Sequence, residues 1–134
     1  MATQMPEKLT DAQKQLFLDK NFAFVATTCP DGYPHVSPVW IDFEDDYILM
    51  NTAKDRVKER NLRRDPKVAV SIYDSSDPYK MVAVQGTAVE MTTEGADEHI
   101  DKLARKYRGW DEYPAKVDRV LVKIRPERVA TMGL

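Results

Sequence analysis

The chain has 134 residues, of which 43% are hydrophobic and 31% charged, and a formal net charge of −2, which is typical of one soluble globular domain spanning residues 1–134. No apolar run approaches the roughly 20 residues that cross a bilayer, and residues 1–8 lack the apolar core of a secretory signal. We therefore expect a cytoplasmic protein with no membrane partner. A single cysteine, Cys29, and two histidines argue against a zinc site, so we expect no metal.

The predicted elements begin with a helix over residues 11–20, because Thr10 and Gln13 resemble a capping box before a segment that can bury Leu16 and Phe17. The further elements are strands at 22–28, 35–43 and 47–51, a helix at 52–64, strands at 68–73 and 81–91, a helix at 94–108, and strands at 120–124 and 129–132. Gly86 marks a bulge or a close backbone approach within its strand. Tight turns imply antiparallel pairing, which predicts a β-rich α+β fold with a small barrel and flanking helices.

The basic segment at residues 54–65 carries six cations against three anions. Thr52 and Asp55 loosely fit a capping box, which predicts a helix with Lys54, Arg56 and Lys58 in its first turn. The start of a helix already carries partial positive charge, so these cations favour an arriving anion such as phosphate. The alternative is a solvated basic surface. Because the patch is short, it favours a small anionic ligand, and we expect no nucleic-acid partner.

Pro38 lies inside the second predicted strand and cannot donate a hydrogen bond to a sheet. The strand therefore belongs at a sheet edge or an opening, where a flat heterocycle could use its free backbone groups. Val39 and Trp40 would then supply apolar surface for the ring. The alternative is a plain edge strand with Trp40 in the core.

Residues 32–74 resemble the core of the pyridoxamine 5′-phosphate oxidase-like split barrels. The pattern Arg56-x-Lys58-x-x-Asn61-Leu62-x-Arg64-Asp65-Pro66 is especially similar to the branch that uses the deazaflavin coenzyme F-420. The resemblance extends over residues 16–129. It implies a six-stranded antiparallel split β-barrel of the FMN-binding type with flanking helices, and a homodimer with cofactor sites at the subunit interface.

The resemblance also implies roles for individual positions. Arg56 and Lys58 match the residues that hold the cofactor phosphate, Thr52 matches a hydroxyl contact to it, and Asn61 matches a residue near the cofactor tail. Residues 37–40 match the strand whose backbone meets the ring. With Lys54 of the basic segment, the candidate cofactor-binding residues are Ser37, Pro38, Val39, Trp40, Thr52, Lys54, Arg56, Lys58 and Asn61.

The function implied is hydride transfer from a reduced F-420-type deazaflavin to a small unsaturated organic substrate. The alternatives are an FMN-binding oxidoreductase or flavin reductase, and a non-enzymatic cofactor-binding protein. In each case the cofactor carries the redox chemistry, and the catalytic residues stay unassigned. A proton could come from Tyr79, Tyr113, His35 or water.

Three further residues are interpreted on their surroundings. His99 stands between acidic residues on the third predicted helix, so we expect it on the surface. Trp110 and Tyr113 either cover the substrate side or pack against the end of the barrel. The C-terminus has no counterpart of the additional Arg and His residues that vitamin B6-oxidising members carry, which argues against that activity.

Overall fold

Seven antiparallel strands and three helices make up residues 7–134, the part of the chain that the computed structural model describes. The helices are α1 (Asp11–Leu18), α2 (Val57–Arg64) and α3 (Ala96–Arg108). The strands are β1 (Ala23–Thr28), β2 (Pro34–Val39), β3 (Ile41–Glu44), β4 (Tyr47–Ala53), β5 (Lys67–Asp74), β6 (Asp77–Thr92) and β7 (Arg119–Met132). In residues 7–134 no helix is long and apolar enough to cross a membrane.

The strands form one sheet in the order β2-β1-β5-β6-β7-β4-β3. Its two edge strands, β2 and β3, are consecutive in the chain and are separated only by Trp40, so the sheet curls until its edges approach each other. This arrangement is the expected β-rich split barrel with flanking helices.

The count of six strands that the family resemblance implied is wrong, because the described residues form seven, although two of their boundaries differ from the predicted ones. Trp40 divides the predicted strand at 35–43 into β2 and β3, which belong to opposite edges of the sheet. Conversely, the two strands predicted after residue 119 form the single long strand β7, which pairs with β4 through one half and with β6 along its length.

The core fills the inside of the curled sheet. Alternate residues of β1 and β5 point inward, as strand geometry requires, and α1 adds Leu16 and Phe17. Fully buried side chains such as Phe17, Ile41 and Ile72 each stabilise the fold by about 1.5–3 kcal/mol relative to exposure.

The start of α1 is as predicted, whereas the start of α2 is not. Thr10 and Gln13 form the expected capping box. Thr52, by contrast, is no helix cap: it lies in β4 opposite Val120, and α2 begins five residues later with Arg56 at its N-cap. The strand continues because pairing with β7 satisfies the backbone groups of residues 52 and 53, and Asp55, with a φ of 70°, then turns the chain.

Gly86 occupies the predicted irregularity in β6. The register with β7 shifts between Gln85 and Gly86, and a Cβ atom at this position would collide with the carbonyl group of Arg125. Glycine is therefore required for close backbone approach, which bends the long strand around the barrel.

Candidate functional site

A cavity of about 250 Å³ lies where the end of β2 meets the end of β4, the start of α2 and one face of α3. The two edge strands thus contribute through their junction, and β4 contributes through its last residues. The residues that line the cavity are Phe22, Pro38, Val39, Trp40, Asn51, Thr52, Ala53, Arg56, Lys58, Ile100, Leu103, Tyr113 and Arg119.

Three cationic side chains and no acidic side chain line this cavity. The cations are Arg56 at the N-cap of α2, Lys58 in its first turn and Arg119 at the start of β7. Burial lowers the pKa of Lys58, and the positive charges of Arg56 and Arg119 lower it further. None of the three forms an ion pair with a side chain of residues 7–134. Like charges that converge without a counter-ion suit a strongly anionic ligand.

Part of the cavity wall is aromatic. The Trp40 ring stacks on Tyr107 with centroids 5.5 Å apart and an interplanar angle of 4°, and Tyr113 meets Trp40 edge-on at 5.9 Å. Phe22 contacts the same Tyr107 at 5.4 Å. This group presents a flat apolar surface beside the three cations.

Tyr107 anchors that wall to the backbone. Its hydroxyl donates to the carbonyl oxygen of Asn21 at 2.5 Å and accepts a hydrogen bond from the backbone N–H of Ile41 at 3.2 Å. Burial raises the pKa of Tyr107 to about 12, so the hydroxyl keeps its proton. Through the bond to Ile41 and the stacking on Trp40, Tyr107 holds the connection from β2 to β3 in place.

Six of the nine predicted binding residues line the cavity: Pro38, Val39, Trp40, Thr52, Arg56 and Lys58. Pro38 and Val39 lie at the end of the edge strand β2, as the proline required. Trp40 is half-buried rather than a core residue.

The other three predicted residues lie elsewhere. Ser37 is paired with Val25 of β1, and its hydroxyl has no hydrogen-bond partner among residues 7–134. Asn61 is buried and donates to the hydroxyl oxygen of Thr27 at 3.0 Å, so it contributes to packing α2 against β1. Lys54 faces a neighbouring groove.

That neighbouring groove, which we call the basic groove, runs along the exposed side of α2. Its lining residues are Lys54, Asp55, Glu59, Arg60, Arg63, Arg64, Thr93, Asp118 and Val120. Burial alone would raise the pKa of Glu59, but the hydrogen bond from Arg63 at 2.7 Å and one from the N–H of Asp55 lower it. Glu59 therefore stays negatively charged, and the lining of the groove carries four cations against three anions.

Sequence reasoning missed Asn51 and Arg119, because each is an isolated polar residue in a strand and no local pattern indicates a site. It also placed His99 wrongly on the surface. His99 is only 7% exposed, because it lies one turn before Leu103 on the buried face of α3. Its acidic neighbours in sequence point elsewhere on the helix.

The remaining candidate residues differ in whether they line the cavity. Tyr113 lines the cavity, whereas Trp110 does not and instead lies under Arg108, whose guanidinium carbon is 4.7 Å from the ring centroid. His35 is half-buried in β2 opposite Thr27 and does not line the cavity. Residues 7–134 contain no cluster of three or more His, Cys, Asp or Glu side chains that could hold a metal ion.

Comparison with known proteins gives a consistent picture. The family model described as pyridoxamine 5′-phosphate oxidase matches residues 9–133. Among solved structures, an F420 reductase is similar with 26% identity and a TM-score of 0.82, over 91% of this chain and 98% of that chain.

Two further solved structures are similar. A Lactobacillus delbrueckii protein named after pyridoxamine 5′-phosphate oxidase shares 26% identity at a TM-score of 0.66, over 92% of this chain and 93% of that chain. A conserved hypothetical protein from Mycobacterium tuberculosis shares the fold at 23% identity and a TM-score of 0.69, over 98% of this chain and 89% of that chain.

Proposed function

The chain belongs to the pyridoxamine 5′-phosphate oxidase family, and from this premise we propose that it is an oxidoreductase whose cavity holds the phosphate of a flavin-type cofactor. The observation that carries the proposal is the convergence of Arg56, Lys58 and Arg119 on one cavity that no acidic side chain lines. A phosphate would neutralise these charges and accept their hydrogen bonds.

The residues present fit such a group. Lys58, the guanidinium groups of Arg56 and Arg119, and Thr52 all line the cavity. Trp40 and Tyr113, which meet edge-on, line the same cavity and offer contact area for a planar ring. A bound flavin or deazaflavin would supply the hydride chemistry.

The role of the chain's own residues is then to position the cofactor. Arg56 and Lys58 fix the charged end of the cofactor, and Trp40, held by Tyr107, limits where its ring can lie. Of the three side chains considered as proton donors, only Tyr113 lines the cavity, so it is the protein group best placed to deliver a proton to the substrate.

We propose F-420-type deazaflavin as the cofactor and a small unsaturated molecule as the hydride acceptor. The basic groove supports this choice, because Lys54 and Arg60 continue the positive charge beyond the phosphate position. FMN ends at its phosphate, whereas the deazaflavin tail carries additional carboxylates that this groove could bind. FMN stays the alternative, and the similarity to an F420 reductase is in keeping with the deazaflavin.

Replacing Lys54 and Arg60 together with glutamine tests this choice of cofactor. We expect the deazaflavin dissociation constant to rise about tenfold or more, since each exposed charge contributes up to ~1 kcal/mol, while that of FMN stays within about twofold. The control pair, Lys20→Gln with Lys80→Gln, removes the same charge at exposed positions elsewhere and should change neither constant. Equal losses for both cofactors would contradict the assignment of the groove to a tail.

We also propose that the protein acts as a homodimer with the cofactor between subunits. The outer face of the sheet exposes Phe24 and Val36 next to small residues such as Ala26, Ala69 and Ala83. Pro38, which lines the cavity, is paired in register with Phe24, so this apolar face adjoins the site. A cavity of about 250 Å³ is smaller than most sites for ligands of this size, as expected if a second copy completes it.

A further inference from the structure

We propose that His99, backed by Asp42, is a positioning residue that fixes the guanidinium of Arg119 at the cavity through the side-chain amide of Asn51. The consequence for cofactor binding rests on the function proposed above, whereas the arrangement itself belongs to the protein alone. Four residues from β3, β4, α3 and β7 form one continuous chain of contacts that ends in the cavity.

The chain of contacts ends at Arg119. The Nε–H of Arg119 donates to Asn51 Oδ1 at 2.9 Å, and its guanidinium carbon lies 5.1 Å from the centroid of the Tyr113 ring. The terminal nitrogens form no hydrogen bond or ion pair with residues 7–134, so they are available toward the cavity. The bond to Asn51 therefore sets the direction in which this fork of donors points.

The orientation of the Asn51 amide is set by two acceptors on its nitrogen side. Asn51 Nδ2 donates to the carbonyl oxygen of Ala96 at 2.8 Å and lies 3.2 Å from His99 Nδ1. Both acceptors belong to α3, and Asn51 is only 8% exposed. A flipped amide would direct its N–H groups at the Nε–H of Arg119, placing donor against donor, so the acceptors on α3 keep Oδ1 facing the cavity cation.

His99 can accept from Asn51 only if its proton is on the other ring nitrogen. His99 Nε2 lies 3.4 Å from Asp42 Oδ2, and Lys102 Nζ lies 2.9 Å from the same oxygen. Burial alone would raise the pKa of Asp42, but the adjacent His99 and Lys102 and the hydrogen bond donated by the N–H of Phe43 hold it well below its usual range. A buried carboxylate at this position favours the Nε2–H tautomer and leaves Nδ1 as the acceptor.

Two nearly isosteric variants separate positioning from packing. In His99→Asn the new amide oxygen can take the place of Nδ1 as acceptor, whereas His99→Leu fills the same space without one. In the unliganded full-length protein, the Nε–H signal of Arg119, assigned by its loss in Arg119→Lys, should exchange slowly with solvent. We expect exchange at least about tenfold faster in His99→Leu and near the wild-type rate in His99→Asn. An unchanged exchange rate in a folded His99→Leu variant would overturn the proposal.

A second test uses only the wild-type protein and therefore does not depend on whether a variant folds. Nitrogen NMR of the His99 ring should show the proton on Nε2 and an unprotonated Nδ1. The opposite tautomer would overturn the proposal, because Nδ1 would then be a donor facing the donor of Asn51.

A double-mutant cycle with FMN as the probe links the arrangement to binding. His99→Leu should weaken FMN binding about fivefold to tenfold in the wild-type background and have no further effect in Arg119→Gln. An equal loss in both backgrounds would contradict positioning through Arg119 while leaving the proposed function intact. If wild-type protein bound neither FMN nor the deazaflavin, the proposed function would fail, and the exchange and tautomer measurements would still decide the positioning role.

Discussion

At the scale of single residues, Lys58 is the cavity cation whose charge responds to pH. Burial, Arg56 and Arg119 all lower its pKa from the usual 10.5, and a bound phosphate would counter them. Cofactor affinity is therefore full where Lys58 is protonated and falls as the pH rises through the lowered pKa. We expect the dissociation constant to increase as the pH is raised toward 10, because Lys58 loses its proton there while the charge of the phosphate does not change.

Lys58→Arg supplies the control, because a guanidinium stays charged over this whole range. The variant should bind the same cofactor with an affinity that changes little up to about pH 10. A fall of equal size in both proteins, or a flat profile in the wild type, would contradict a role for Lys58 in holding the anion.

The hydroxyl group of Tyr107 should contribute measurably to the free energy of unfolding. Tyr107→Phe leaves the Ile41 N–H and the Asn21 carbonyl oxygen without the hydroxyl that bonds both, so we expect the free energy of unfolding to fall by about 1–3 kcal/mol. Urea denaturation measures this. Tyr79→Phe removes the same hydroxyl from a side chain that is 75% exposed and should cost less than about 0.5 kcal/mol. Equal costs would contradict the anchoring role.

At the scale of elements, the sequence predicted α1 and most strands because local patterns determine them. The capping box of Thr10 and Gln13 and the short apolar run of β-forming residues at 22–28 are complete within a few residues. The start of α2 could not be predicted in this way. Thr52 looks like a helix cap, but β7 pairs with it from nearly seventy residues away and extends β4 instead.

Distance in sequence also explains what was missed in the site. The basic segment revealed Arg56 and Lys58, whereas Arg119 joins them only because β7 pairs with β4. Asn51 and His99 meet for the same kind of reason, since α3 packs across the sheet. Charge clusters in one segment could be recognised, but clusters assembled by the fold could not.

The bulge in β6 gives a test at this scale. In Gly86→Ala the added Cβ would collide with the backbone carbonyl of Arg125, and backbone in a paired strand cannot move aside easily. Gly109→Ala is the comparison, because Gly109 has a φ of 68° but open space around it, so that variant should cost only about 1 kcal/mol. We expect Gly86→Ala to lower the free energy of unfolding by clearly more, as measured by chemical denaturation. If Gly86→Ala lowered the free energy of unfolding no more than Gly109→Ala does, the close backbone approach at Gly86 would not be needed for stability.

At the scale of the whole molecule, the outer face of the curled sheet should decide the oligomeric state. Val36 is 59% exposed on this face, so Val36→Glu would place a charge within an apolar surface that we assign to a second copy. Sedimentation should show a dimer for the wild-type protein and a monomer with unchanged circular dichroism for the variant. Val117→Glu, at a valine that is 70% exposed in a loop, should remain a dimer.

A dimer that persists in Val36→Glu would show that the dimer interface lies elsewhere. A wild-type protein that is monomeric at all concentrations would contradict the proposed homodimer. In the second case, cofactor binding would have to be explained by one chain alone.

The measurement that tests the central claim most directly is titration of the purified protein with FMN and, separately, with the F-420 deazaflavin, followed by cofactor fluorescence. We predict tight binding of the deazaflavin and weaker binding of FMN. Arg56→Gln and Lys58→Gln should each weaken binding by about tenfold to a hundredfold, because each removes a charge-assisted hydrogen bond, and Arg108→Gln outside the cavity should not. Binding of neither cofactor, or binding that ignores the loss of Arg56 and Lys58, would contradict the account.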